Sequence, residues 1–129
     1  MTSAEEVGMA LPILAVDDSA PIREMIVSVL ASRGYQVLTA RDGHEALEKL
    51  RLLAEPHIIL LDVVMPGLDG PTVIHEINGD DVLRSAGHRV ILMSSQLRLA
   101  ARDIPTTAGQ LPKPFTRMQL VEVIAQLGG

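Results

Sequence analysis

Short, unbroken apolar runs alternate along the chain with stretches whose apolar positions recur every three or four residues. The run Ile13–Val16 is long enough for a buried strand and too short for a helix. Pro21 suits the first turn of a helix, and Ile22, Met25, Ile26, Val29 and Leu30 then fall on one helical face, ending at Gly34. Residues 35–39 read as a second strand, and Ala46, Leu47, Leu50 and Leu53 mark a second helix. Beyond Pro56, residues 57–62 form an apolar run suited to a central parallel strand. A turn over residues 65–70 leads through Pro71 into a helix that should end at Asn78-Gly79. The polar stretch 80–89 has room for a short extra helical turn before a fourth strand over 90–93. Gln110-Leu111 is a short fifth strand, and Thr116 with Gln119 forms a capping box for the last helix. Phe115 and Leu120 are placed to staple that helix, whose stripe is Leu120, Val123, Ile124 and Leu127.

Strands alternating with helices predict an α/β, doubly wound, five-stranded parallel sheet. Residues 96–109 carry a poor helical stripe broken by Pro105, which predicts a short or mobile fourth helix between strands four and five. At 129 residues the chain is one domain by length. Residues 1–10 read as a flexible N-terminal tail and 11–129 as the folded unit.

Composition narrows the chemistry. Hydrophobic residues make up 47% of the chain and aromatics only 2%, so aliphatic side chains must fill the core. A net charge of -5 without any Lys/Arg cluster argues against a nucleic-acid-binding face. The absence of cysteine excludes disulfides, thiol catalysis and Cys-based zinc sites. No apolar run approaches the roughly 20 residues of a membrane span, and the first ten residues hold no basic residue of a secretory signal. These features imply a cytoplasmic protein. His44, His57, His75 and His88 show no ligand spacing and read as surface or loop residues, while Met9, Met25, Met65, Met93 and Met118 read as packing residues.

The informative polar residues stand where apolar runs end: Asp17-Asp18, Asp62, Ser94 and Lys113. Open parallel sheets bind ligands outside the carboxyl ends of their strands. Three carboxylates, a hydroxyl and an ammonium group should therefore meet at one edge. Crowded carboxylates repel unless a cation joins them, and hard oxygen donors suit Mg²⁺. The pattern predicts a site for a phosphoryl group and a divalent metal. For either of Asp17 and Asp18 taken alone, capping of the first helix is an equal alternative.

Val16-Asp17-Asp18, Leu61-Asp62 with Met65-Pro66-Gly67 and Asp69-Gly70, Ser94, and Lys113-Pro114-Phe115 together resemble the receiver domain of two-component response regulators. The resemblance covers residues 11 to 127. It implies a single-domain, chemotaxis-regulator-like fold with strand order 2-1-3-4-5, flavodoxin-like in topology. It implies that Asp62 is phosphorylated by a histidine kinase, a phosphotransfer protein or a small acyl phosphate. Mg²⁺ would be held by Asp17, Asp18, Asp62 and the backbone carbonyl of Val64. Ser94 would be the switch hydroxyl and Lys113 the contact to the phosphoryl oxygens. The implied partners are a sensor histidine kinase or a histidine phosphotransfer protein and a downstream protein effector, with no nucleic acid and no membrane. Beyond its own phosphotransfer and slow dephosphorylation, no enzyme activity is expected.

Two positions depart from that family. Gln110 stands where the family carries an aromatic three residues before its lysine, and the interval from Ser94 to Lys113 is about three residues short, a deletion that must fall in a connection. The expected readout is therefore ordering of residues 96–109 rather than an aromatic flip. Two other functions compete. An aspartyl-phosphate phosphatase needs an acid two residues beyond its nucleophile, where this chain has Val64; a pseudo-receiver that binds partners without phosphorylation would not need the complete set of acids and lysine.

Overall fold

The computed structural model describes residues 10–53, 55–95 and 108–128. In chain order these form β1 (Ile13–Val16), α1 (Ala20–Ala31), β2 (Val37–Ala40), α2 (Gly43–Leu52), β3 (Ile58–Asp62), α3 (Gly70–Gly79), α4 (Asp81–Ser85), β4 (Arg89–Ser94), β5 (Gly109–Pro112) and α5 (Arg117–Gln126). All strand pairs are parallel, in the order β2-β1-β3-β4-β5. The predicted doubly wound, flavodoxin-like sheet is thus the one observed. The predicted helix between the fourth and fifth strands, and most of the tail, lie outside the described residues.

The sheet is buried on both faces because its strands alternate between two cores. Leu14, Val16, Ile59 and Leu61 face α2 and α3, where Leu47, Leu50, Val73 and Ile77 meet them. Ile13, Ala15, Ile58 and Leu60 face the opposite way, onto Ile26 and Leu30 of α1 and Leu120 and Ile124 of α5. This two-sided burial explains why β1 and β3 read as unbroken apolar runs rather than alternating ones.

Local signals set most boundaries. Ser19 caps α1 through Ile22, and the capping box of Thr116 and Gln119 opens α5 as expected. Asp80 both ends α3 and caps α4, the predicted extra turn, whose Leu83 is buried. The second strand starts two residues later than expected. Gly34 takes a left-handed φ of 90°, and Tyr35 N–H returns to Leu30 O at 3.2 Å, so residue 35 still belongs to the helix end.

Two expectations are corrected. His57 is buried at the foot of β3: its N–H donates to His88 Nδ1 at 3.0 Å and its own Nδ1 bonds Glu55 O at 2.9 Å. Its backbone N–H and Nδ1 are thus both bonded, which makes burial tolerable. His88 packs edge-on against it, half-buried, with Nε2 out of reach of water. Met118 lies on the outer side of α5 and is exposed rather than packed. Met25, Met65 and Met93 do pack, while Met9 lies outside the described residues.

Candidate functional site

The expected acids, serine and lysine sit at or just past the carboxyl ends of strands. Asp17 and Asp18 follow β1, Asp62 closes β3, Ser94 closes β4, and Lys113 follows β5. β1 and β3 are neighbours at the point where the strand order reverses, the usual ligand crevice of such sheets. One carboxylate oxygen from each of Asp17, Asp18 and Asp62 lies within 4.8 Å of the others. Asp17 and Asp62 are buried and Asp18 is exposed, so the cluster opens to solvent on one side.

Lys113 reaches across from the β5 loop. Its Nζ donates to Asp17 Oδ2 at 2.7 Å and stands 3.4 Å from Asp62 Oδ1. Its N–H donates to Ser94 O at 3.0 Å, tying that loop to the end of β4, and the Lys113-Pro114 peptide is cis. Asp17 Oδ1 accepts the Ser19 N–H at 2.9 Å. Three carboxylates therefore face one ammonium group. Burial, and then the charge of Asp17, push the Asp62 carboxyl up from 3.8 to about 6, against the opposing pull of Lys113 and a hydrogen bond from the Val64 backbone. Hard, closely spaced carboxylate oxygens with excess negative charge fit a small divalent cation such as Mg²⁺. Asp17 is not a cap: Ser19 holds that place, and the Asp17 carboxylate points into the cluster.

The fold also answers which serine ends β4. Ser94 is buried in the strand, whereas Ser95 is exposed. Ser95 lines an apolar cleft of about 310 Å³ with Ile22, Met25, Lys113, Pro114 and Phe115. Gln110 lies on β5 with its side chain exposed, and Val64, two residues beyond Asp62, is also exposed. Residues 96–107, on which the expected ordering falls, lie outside the described residues.

Two glycines hold the site's loop in place: Gly70, part of the motif behind Asp62, and Gly43, which the sequence reading did not connect with the site. A Cβ on Gly70 would stand 2.7 Å from Asp62 O and 2.9 Å from Val63 Cα; one on Gly43 would stand 2.6 Å from Leu68 O. The loop after Asp62 is thus clamped between two helix starts that only glycine permits. Both follow a capping aspartate, Asp42 or Asp69, and that repeated Asp-Gly pair was the available signal.

The profile of the response regulator receiver domain family matches residues 13–125. The chain belongs to that family. Over 130 residues it is 36% identical to the sensor kinase CckA of Brucella abortus, covering 96% of this chain and 13% of that protein. It is also 36% identical over 120 residues to the response regulator MprA of Mycobacterium leprae, covering 89% of this chain and 50% of that protein. The chain therefore spans half or less of the length of these curated relatives. Among solved structures, the response regulator TrrA of Thermotoga maritima in complex with Mg²⁺-BeF superposes with a TM-score of 0.74 at 29% identity, covering 91% of this receiver domain and 98% of that chain. No helix among the described residues is long and apolar enough to cross a membrane.

Proposed function

We propose that this receiver domain is a phosphoacceptor switch in two-component or phosphorelay signalling, with Asp62 as the acceptor. The observation that carries the reading is the convergence of Asp17, Asp18 and Asp62 within 4.8 Å, with the Lys113 ammonium group bonded to one of them. The solved relative that holds Mg²⁺-BeF supports it, beryllofluoride being a tetrahedral mimic of a phosphoryl group.

In this reading Asp17, Asp18, Asp62 and the Val64 carbonyl hold Mg²⁺. When bound, the ion neutralises charge on the transferring phosphoryl. An Asp62 carboxylate oxygen attacks the phosphorus of a phosphohistidine; the P–N bond breaks and its electron pair stays on the imidazole, which takes up a proton. The acyl phosphate so formed divides one transfer into two easier steps. In the metal-free protein burial and the charge of Asp17 raise the Asp62 carboxyl to about 6, so it is largely ionised at neutral pH. Lys113 contacts the incoming oxygens, and Ser94 hydrogen-bonds to them as the end of β4 adjusts. The donors are a sensor histidine kinase or a histidine phosphotransfer protein, and output is by contact with a downstream protein.

Mass spectrometry after incubation with Mg²⁺ and acetyl phosphate tests the assignment. A single phosphoryl adduct is expected on the wild type and none on Asp62→Asn. No adduct on the wild type, or one that survives Asp62→Asn, overturns it.

A further inference from the structure

Asp17 uses every one of its polar atoms. Its N–H donates to Ala40 O at 3.1 Å, Oδ1 accepts from Ser19 and Oδ2 from Lys113. Its carbonyl lies one residue beyond the last paired positions of both neighbouring ladders, Val16 with Ala40 and Val16 with Leu61. The sheet therefore has no amide to offer it, and a buried carbonyl without a partner is costly. The Arg23 guanidinium fills the gap: from the start of α1, Nη1 donates to Asp17 O at 2.7 Å.

That carbonyl belongs to the peptide joining Asp17 to Asp18. A peptide is planar, so holding its oxygen fixes the relative setting of the two residues that carry the carboxylates. A hydrogen bond from a charged donor is about twice as strong as a neutral one. Among the described residues Arg23 forms no ion pair, and this carbonyl is the one bond of its side chain. A half-buried cation with five donors is thus committed to one backbone oxygen behind an acidic cluster.

We propose that Arg23 is a positioning residue for the acidic pair: it sets the peptide between Asp17 and Asp18 and so pre-orders both carboxylates for a divalent cation. The inference rests on the metal-binding reading above. Groups that orient metal ligands from behind typically contribute 10- to 100-fold in affinity.

The test uses Mg²⁺ alone, titrated calorimetrically into wild type, Arg23→Ala and Arg23→Lys, together with amide hydrogen exchange of the metal-free proteins. Arg23→Ala should bind Mg²⁺ about tenfold more weakly, and Arg23→Lys, which keeps the charge and one strong donor, should recover part of that loss. In metal-free Arg23→Ala the Ser19 amide should exchange faster while those of Ile59 and Leu60 in β3 stay protected. Unchanged Mg²⁺ affinity and unchanged Ser19 exchange overturn the proposal. So does weaker binding accompanied by equal loss of protection in β3, which would mark a general loss of stability. Absence of Mg²⁺ binding by the wild type would instead overturn the metal reading itself, and Ser19 exchange would still decide whether Arg23 orders the loop.

Discussion

The two ends of β3 bury ionisable side chains by opposite means. At its carboxyl end Asp62 belongs to a cluster of three acids and a lysine that opens to solvent through Asp18. At its amino end His57 and His88 form a closed pair whose bonds run to backbone and to each other. Burial pushes both ends towards the uncharged form, raising Asp62 and lowering His88. The difference lies in what opposes that push. The acidic end holds charges that one ammonium group does not balance and has room for another cation; at the histidine end the His57 N–H already occupies His88 Nδ1, and the buried Nε2 has no partner, so nothing there rewards a charge. One strand thus carries an acidic cluster that could hold a cation at one end and a histidine pair at the other.

The largest test of this contrast removes Lys113. Breaking a buried ion pair by deleting one partner leaves the other charge uncompensated. Lys113→Met should lower metal-free stability by roughly 3 kcal/mol at neutral pH, read from urea midpoints, and Mg²⁺ should restore most of it by mass action. An equal loss with and without Mg²⁺ would mean that the acidic end is as closed as the other.

Asp62→Asn should have a somewhat smaller and opposite effect. The folded carboxyl titrates near 6 rather than 3.8, so the folded state holds its proton more tightly than the unfolded chain does. The stability from that proton is fully present below 3.8 and is lost as pH rises through about 6. At pH 7 without metal, Asp62→Asn should therefore be more stable than wild type by about 2 to 3 kcal/mol, with the gap closing below pH 4. Parallel stability curves across that range would show that burial does not strain this carboxylate.

The smallest effect belongs to the histidine end. His88 Nδ1 accepts the His57 N–H, so the ring must be neutral there, and its pKa lies below 6.5 through burial first and the His57 charge second. The unfolded chain then binds the proton more readily. Stability is full above 6.5 and falls as pH drops through the folded value. His88→Asn keeps an acceptor without a titrating group. It should match wild type within about 1 kcal/mol at pH 8 and outlast it at pH 5. A wild type and variant that lose stability identically in acid would remove His88 from the account.

Much of the site was legible because its residues lie where hydrophobic runs stop. Asp17, Asp18, Asp62, Ser94 and Lys113 each follow or end a strand, and parallel topology leaves such residues one edge on which to meet. Gly70 was legible as part of the motif behind Asp62, but the contacts that Arg23 and Gly43 make were not. Their roles are contacts to backbone atoms distant in the chain: Asp17 O for Arg23, Leu68 O for Gly43. Nothing in a periodic pattern records where a carbonyl lacks a partner. His57 and His88 were misread for the same reason, since 31 positions separate two rings that meet only when β3 and β4 pair.

By itself the sequence determined the alternation of strand and helix, the capping box of α5, and which polar residues end the strands. These follow from local spacing and local hydrogen bonding, which the chain carries within a few residues. Only the tertiary structure decided that Lys113 reaches Asp17 across 96 positions, that Asp62 is pushed towards 6, and that a histidine pair closes the far end of the same strand. Those outcomes depend on burial and on distances between remote segments, and both come into being only when the sheet forms.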